Sequence, residues 1–217
     1  VRYMKYNRMQ KYSFPSEMRN FAPMNGEQPS PTLSRAVTVY CASSPDAPAA
    51  MMQAAYRLGQ EAARRSITTI TGAGATGLMS AVIDGTLDGG GRSIGVIPEF
   101  MTERGWANRR LSDVRITPDM HTRKQLLASL GDGAIALPGG PGTIEELMEL
   151  MTWRQLGIHT GSLVICNTDG YYDQLLGQLE AAARCNLMRP TGLTGAALYT
   201  VARTPEESLD IIFPSDN

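Results

Sequence analysis

The sequence predicts an α/β fold in which a doubly wound, mainly parallel sheet carries helices on both faces. Short runs rich in Val, Ile and Thr recur along the chain, separated by stretches whose apolar residues are spaced three and four apart. Strands that alternate with helices in this way require crossover connections, which place consecutive strands parallel to one another. Glycine-rich turns follow several of the apolar runs, as in Rossmann-like domains.

Seven apolar or β-branched runs are predicted to be strands, because each is short and bounded by Gly, Pro, Ser or Asp. They cover residues 36–41, 67–71, 93–97, 114–117, 134–137, 163–166 and 197–201. The segments between them have helical periodicity, and Asp119 is suited to cap one of these helices. The predicted helices cover residues 49–65, 77–87, 120–130, 143–156, 171–184 and 205–212.

The chain divides into two regions by composition. Residues 1–34 lack a sustained period and contain Pro15, Pro23, Pro29 and Pro31, so we expect an N-terminal extension or arm. Residues 35–217 are expected to form a single Rossmann-like nucleotide-binding domain, which is an ordinary size for one domain.

Charge and composition exclude several classes of protein. The 217 residues carry a formal net charge of −1, and no basic run is long enough to follow a nucleic acid backbone. The longest apolar runs are too short to span a membrane, and the polar N-terminus resembles no secretion signal, so we expect a cytoplasmic protein. The two histidines, His121 and His159, have no ligand spacing to Cys or carboxylate residues, so no metal site is expected.

The loops that follow the strands should share one edge of the sheet, where ligands of such folds bind. One of them contains Gly72, Gly74 and Gly77 in the spacing G-x-G-x-x-G, which can hold a phosphate at the start of the next helix. A dinucleotide site also needs an acidic residue about 20 positions further on. Glu99 lies a few residues late and beyond a proline, so a mononucleotide loop or a structural turn remains open.

Arg123 and Lys124 lie near the start of the helix that Asp119 caps, where the helix dipole disfavours positive side chains. They could form a solvated surface pair. Alternatively, Arg123 could bind an anion with its planar guanidinium group beside the glycine loop.

The loop after the fifth strand, residues 137–146, is the most informative segment. Its glycines and the following helix start form an anion site, yet Glu145 and Glu146 come directly afterwards. Thr143 and Glu146 have the spacing of a capping box, which could account for both residues. Whatever its role, the Glu146 carboxylate at a helix N-terminus should stay ionised at neutral pH. Such a group suits a base or a stabiliser of positive charge.

Three segments resemble the Lonely Guy family of cytokinin riboside 5′-monophosphate phosphoribohydrolases, proteins once labelled lysine decarboxylases. Residues 138–146 match its P-G-G-x-G-T-x-x-E signature, residues 120–124 its M-H-x-R-K segment, and residues 72–79 its glycine loop. The similarity extends from about residue 37 to about residue 187. Ala73 stands where the family has the middle glycine, and Pro141 fills a variable position that is often tyrosine.

The resemblance implies hydrolysis of the N-glycosidic bond of AMP or an N6-modified AMP, giving free base and ribose 5-phosphate without a cofactor or metal. It also implies a homodimer with no nucleic acid or membrane partner. The catalytic pair would be Arg123 and Glu146, although the sequence leaves open whether Arg123 binds phosphate or orients Glu146. The implied substrate-binding residues are Gly72, Gly74, Gly77, Glu103, Met120, Lys124, Gly139, Gly140, Gly142, Thr143, Glu145 and Thr152.

Two other functions can be distinguished from this one. A non-catalytic nucleotide-binding or sensing module would need Glu146 only as a helix cap. A pyridoxal phosphate enzyme such as a lysine decarboxylase needs a lysine that forms a Schiff base. Lys124 is the sole candidate after residue 34, so this function is the least favoured.

Overall fold

The computed structural model describes residues 35–214, and the predicted N-terminal arm lies outside them. The described chain contains one sheet of seven strands, and every neighbouring pair is parallel. This confirms the predicted fold class. The strands are β1 (Ala36–Tyr40), β2 (Thr68–Thr71), β3 (Ser93–Pro98), β4 (Asp113–Thr117), β5 (Gly133–Ala136), β6 (Ser162–Cys166) and β7 (Thr200–Ala202).

The strand order creates a crevice next to β1. The order across the sheet is β4-β3-β2-β1-β5-β6-β7, so the chain first builds outward from β1 and then returns to its other side. β1 and β5 pair directly, with Tyr40 opposite Ala136. The loops leaving these two strands therefore diverge, and such a switch point is where open parallel sheets bind ligands.

The described part of the chain contains seven α-helices, of which six lie between successive strands and the last follows β7. They are α1 (Ala49–Arg64), α2 (Gly77–Asp88), α3 (Glu99–Glu103), α4 (Met120–Leu130), α5 (Pro141–Gln155), α6 (Asp173–Arg184) and α7 (Pro205–Ile212). Within residues 35–214, no helix has both the length and the apolar character needed to cross a bilayer.

The helices cover both faces of the sheet, as the sequence predicted. Val37 and Val39 of β1 pack on one side with residues of α1, α2 and α7, whereas Ala36 and Tyr40 pack on the other side with residues of α4, α5 and α6. Successive residues of a strand point to opposite faces, so two apolar clusters form from one alternating strand. The central strands are buried on both faces, as crossover helices require.

Several element predictions were wrong in detail, and the start of α5 is described with the site below. Residues 99–103, predicted to be loop, form the short helix α3. The last strand is Thr200–Ala202 instead of residues 197–201, and α6 begins at Asp173, two residues after the predicted start. A five-residue helix is too short to show periodicity, and helix ends depend on local contacts more than on pattern.

Helices α1 and α2 approach each other closely through glycines. A Cβ atom added at Gly59 would lie 2.5 Å from the backbone nitrogen of Thr86, and one added at Gly85 would overlap the carbonyl group of Tyr56. The backbones therefore pack directly against each other, and this contact fixes α2 and the glycine loop that precedes it.

We expect Gly85→Ala to lower the free energy of unfolding by about 1–3 kcal/mol, or the melting temperature by roughly 2–12 °C, because the added methyl group overpacks this contact. Gly177→Ala in α6 is the control: nothing lies within 4 Å of its added Cβ, so helix propensity should keep or raise stability. Thermal unfolding followed by circular dichroism measures both, and equal melting temperatures for the two variants would contradict the packing argument.

Candidate active site

A buried ion pair joins the two helices that leave β4 and β5. Arg123 of α4 and Glu146 of α5 meet at 2.9 Å between Nη1 and Oε1, and their side chains are 8% and 12% exposed. Asp119 caps α4 by accepting a hydrogen bond from the backbone N–H of Thr122, as predicted. The pair lies at the carboxyl edge of the sheet, where the sequence placed the ligand site.

The rest of the guanidinium group is held by the ends of β3 and β2. Its Nε donates to the carbonyl oxygen of Val96, at 3.1 Å. Nη2 lies so close to Gly72 that an added Cβ there would overlap it. Glycine at position 72 is thus required for Arg123 to cross the strand ends and reach Glu146. The surface-pair interpretation of Arg123 was wrong, because its side chain is buried.

Burial governs the protonation of Glu146. Removal from water raises the pKa of its carboxyl group above the ordinary value, and the Arg123 charge and hydrogen bond act in the opposite direction. The helix dipole alone predicted an ionised carboxylate, but desolvation of Glu146 in the folded chain raises its pKa. A carboxylate with a raised pKa is a stronger base than an exposed one.

Helix α5 begins two residues earlier than predicted, at Pro141, with Gly140 as the N-cap. Proline suits the first position of a helix because its missing N–H would have had no partner. The capping-box interpretation was therefore wrong: no side chain caps α5, and Glu146 bonds Arg123. Glu145 and Glu146 lie in the second turn, and the first turn contains no acidic residue that would repel a bound anion.

Lys124 forms a second charge cluster beside the first. Its Nζ contacts Glu145 and lies 3.3 Å from an oxygen of Glu149. The hydrogen bond to Glu145 raises the pKa of Lys124, which keeps the amine protonated. Thr152 follows Glu145 and Glu149 at a helical spacing on α5 and is exposed.

The loop between β2 and α2 is fixed by the loop that follows β1. The Thr76 hydroxyl donates to the carbonyl oxygen of Ser43 at 2.6 Å, and an added Cβ at Gly77 would overlap the backbone of Ser43 and Ser44. Ala73, at the usual glycine position, has φ of 66°. This left-handed conformation is costly for alanine. Gly74 lies further along the loop, with its N–H directed at the sulfur of Met79.

The remaining predicted residues lie at the same edge but outside the ion pair. Glu103 ends α3, is exposed, and is absent from the contacts that link Arg123, Glu146 and Lys124. Met120 begins α4 and is half-buried. Within residues 35–214, no cluster of three or more His, Cys, Asp or Glu side chains is arranged to hold a metal ion.

Two tyrosines that were not predicted as site residues contact the glycine loop before α5. The hydroxyl of Tyr171 donates to the carbonyl oxygen of Gly139 at 2.8 Å, and that of Tyr172 donates to Leu137 at 2.7 Å. The sequence could have indicated these tyrosines, because the loop after β6 begins at the same edge of the sheet as the loops after the other strands.

Comparisons with known proteins place the chain among related sequences. A family model described as possible lysine decarboxylase matches residues 79–212. The cytokinin riboside 5′-monophosphate phosphoribohydrolase LOG3 of Arabidopsis thaliana is 39% identical over 168 residues, 77% of this chain and 78% of that protein. The probable cytokinin riboside 5′-monophosphate phosphoribohydrolase LOGL2 of Oryza sativa subsp. japonica is 38% identical over 176 residues, 81% and 71% of the two chains.

Solved structures share the fold at lower identity. The molybdenum cofactor binding protein of Rippkaea orientalis superposes with a TM-score of 0.61 and 21% identity, covering 82% of this chain and 94% of that one. At this identity the likeness concerns the fold alone.

We expect the carboxyl group of Glu146 to titrate above its ordinary range and to move to still higher pH in Arg123→Gln, because the cation that favours the charged form is removed. Carbon-13 NMR of the side-chain carboxyl carbon measures both. Arg110→Gln is the control, since Arg110 pairs with Asp84 and Asp88 and not with Glu146. A lower pKa in Arg123→Gln would contradict the described environment.

Proposed function

The chain belongs to the Lonely Guy family, and we propose on that premise that it hydrolyses the N-glycosidic bond of an N6-modified adenosine 5′-monophosphate. The products are the free base and ribose 5-phosphate. The observation that supports this most strongly is the buried pair of Arg123 and Glu146, located at the switch point beside a glycine-rich helix start.

The proposed reaction uses water as the nucleophile. The C1′–N9 bond breaks, the oxygen of water bonds to C1′, and one proton of the water passes to Glu146. Solvent supplies a proton to the departing base and takes one from Glu146, so one water molecule is consumed and the carboxylate is restored. Positive charge develops on the ribose as the bond breaks, and a fixed carboxylate stabilises it. The raised pKa of Glu146 makes its carboxylate a better proton acceptor from water.

Arg123 is proposed to position Glu146 and not to bind the phosphate. Its Nη1 is engaged with Glu146 and its Nε with Val96, while Nη2 packs against Gly72. These contacts fix the carboxylate in one orientation. They also keep a useful fraction of Glu146 ionised, since the cation opposes the effect of burial.

The 5′-phosphate is proposed to bind at the N-terminus of α5. The first N–H groups of a helix have no intrahelical partner, and the dipole of a 15-residue helix favours an anion there. Gly140 and Gly142 are exposed, and an added Cβ at either would meet nothing within 4 Å, so a ligand can approach the backbone closely. We assign the contacts to residues 139–143, with the loop of Gly72, Gly74 and Gly77 beside them.

The base and its N6 substituent are proposed to contact the exposed face of α5 that carries Glu145 and Thr152, next to Lys124. A Schiff-base role for Lys124 is disfavoured, because such a lysine needs a lowered pKa and the carboxylates here raise it. The sensing-module alternative depended on Glu146 being a helix cap, and Glu146 makes no capping bond.

We expect wild-type protein to release free base from N6-isopentenyl-AMP and AMP, detected by chromatography. Glu146→Gln should reduce kcat by about 100- to 10,000-fold, because the proton acceptor is removed. The same variant should bind the product ribose 5-phosphate within about threefold of wild type in calorimetry, since it keeps the shape of the site.

Glu180→Gln is the matched control, because Glu180 is exposed on α6 and contacts only Arg184 among the described ion pairs. It should retain full turnover. Folded wild-type protein that released no base from either nucleotide would refute the proposed activity. Glu146→Gln with undiminished turnover would refute the role given to that carboxylate.

A further inference from the structure

The carbonyl groups of the glycine loop before α5 are all engaged by donors within the protein. Leu137 and Gly139 accept hydrogen bonds from the hydroxyls of Tyr172 and Tyr171. Between them, the Pro138 carbonyl accepts from the backbone N–H of Ala42 at 3.1 Å, and the Gly140 carbonyl accepts from Ile144 at 3.0 Å. Four successive carbonyl oxygens are thus held by partners from the loop after β1, from α5 and from the loop after β6.

The tyrosines are brought to this loop by a tight turn after β6. Asp169 and Gly170 have φ of 53° and 72°, which reverses the chain direction. The side-chain oxygen of Asn167 then accepts from the backbone N–H of Tyr172 at 2.7 Å. The two rings stack edge to face, with centroids 4.9 Å apart. Burial raises the pKa of the Tyr172 hydroxyl, so the group stays protonated and able to donate.

A carbonyl oxygen carries partial negative charge and repels an anion, whereas a backbone N–H attracts one. A flexible glycine loop can present either group. Donors that occupy the carbonyls remove this freedom before the ligand arrives, and such preorganisation strengthens electrostatic binding.

We propose that Tyr171 and Tyr172 are positioning residues for phosphate recognition: their hydroxyls hold the carbonyls of Leu137 and Gly139 so that the loop offers its N–H groups to the 5′-phosphate. This rests on the proposed function, since it deepens the account of the same site. Neither tyrosine is a catalytic residue in this account, because each acts through the loop backbone.

Tyr171→Phe gives the cleaner test. The ring of Tyr171 is 43% exposed and its hydroxyl can be removed without opening the core, whereas Tyr172 is 2% exposed and packs in the core. The matched control is Tyr56→Phe, which removes a hydroxyl that donates to Asp88 at 2.9 Å on α2. Ribose 5-phosphate binding by calorimetry and steady-state hydrolysis of N6-isopentenyl-AMP are measured on wild type and both variants.

Tyr171→Phe should raise the Kd for ribose 5-phosphate and the KM for N6-isopentenyl-AMP by a common factor of about three to ten. The kcat should stay within about twofold of wild type. Tyr56→Phe should match wild type in all three. A Tyr171→Phe protein with wild-type Kd and KM, whether or not its melting temperature falls, would overturn the proposal, because a purely structural hydroxyl affects stability alone.

The outcomes separate this inference from the proposed function. Weakened ribose 5-phosphate binding in Tyr171→Phe, together with a wild-type protein that releases no base, would support the positioning role and refute the hydrolysis. Normal base release by wild type, with Kd and KM unchanged in Tyr171→Phe, would support the hydrolysis and refute the positioning role. Wild-type protein that failed to bind ribose 5-phosphate would overturn the positioning role alone, because base release, and not product affinity, tests the hydrolysis.

Discussion

The buried ion pair between Arg123 and Glu146 is the interaction on which the rest of the site depends. Two charges held largely out of water are tolerated only when each has the other and further hydrogen bonds satisfy the remaining groups. Val96 supplies such a bond, and Gly72 leaves the space that the guanidinium group occupies. This one pair of side chains therefore constrains β3, the loop after β2, and the helices that follow β4 and β5.

The pair also explains how one carboxylate can suit the proposed chemistry. Burial favours the neutral form of the Glu146 carboxyl group, whereas a nearby cation favours the charged form and makes it a weaker base. Burial and Arg123 act in opposite directions on its pKa, with burial the larger effect. The phosphate is proposed to bind at a different element, the first turn of α5, which contains no acidic side chain. Attraction for the anion and stabilisation of the ribose cation can thus coexist a few residues apart.

The sequence was sufficient to predict the sheet and the edge that contains the site, because both follow from local periodicity and from the rule that parallel strands end together. The signature around Glu146 also identified the family. The resemblance paired Arg123 with Glu146 but left open whether Arg123 binds phosphate or orients that carboxylate, because the contact depends on how α4 and α5 pack across β3, β2 and β1. Desolvation of Glu146 is likewise a property of packing. Proline is typical of the first position of a helix, so Pro141 carries a signal for the true start of α5, which was predicted at Thr143.

A double-mutant cycle on kcat/KM tests the central claim, that Arg123 and Glu146 act as one unit. Arg123→Gln, Glu146→Gln and the double variant would be assayed with N6-isopentenyl-AMP beside wild type. Groups that act together give strongly non-additive losses. We therefore predict that the double variant is no more than about threefold worse than Glu146→Gln alone. Losses that multiply, so that the double variant shows the product of the two single effects, would contradict the account.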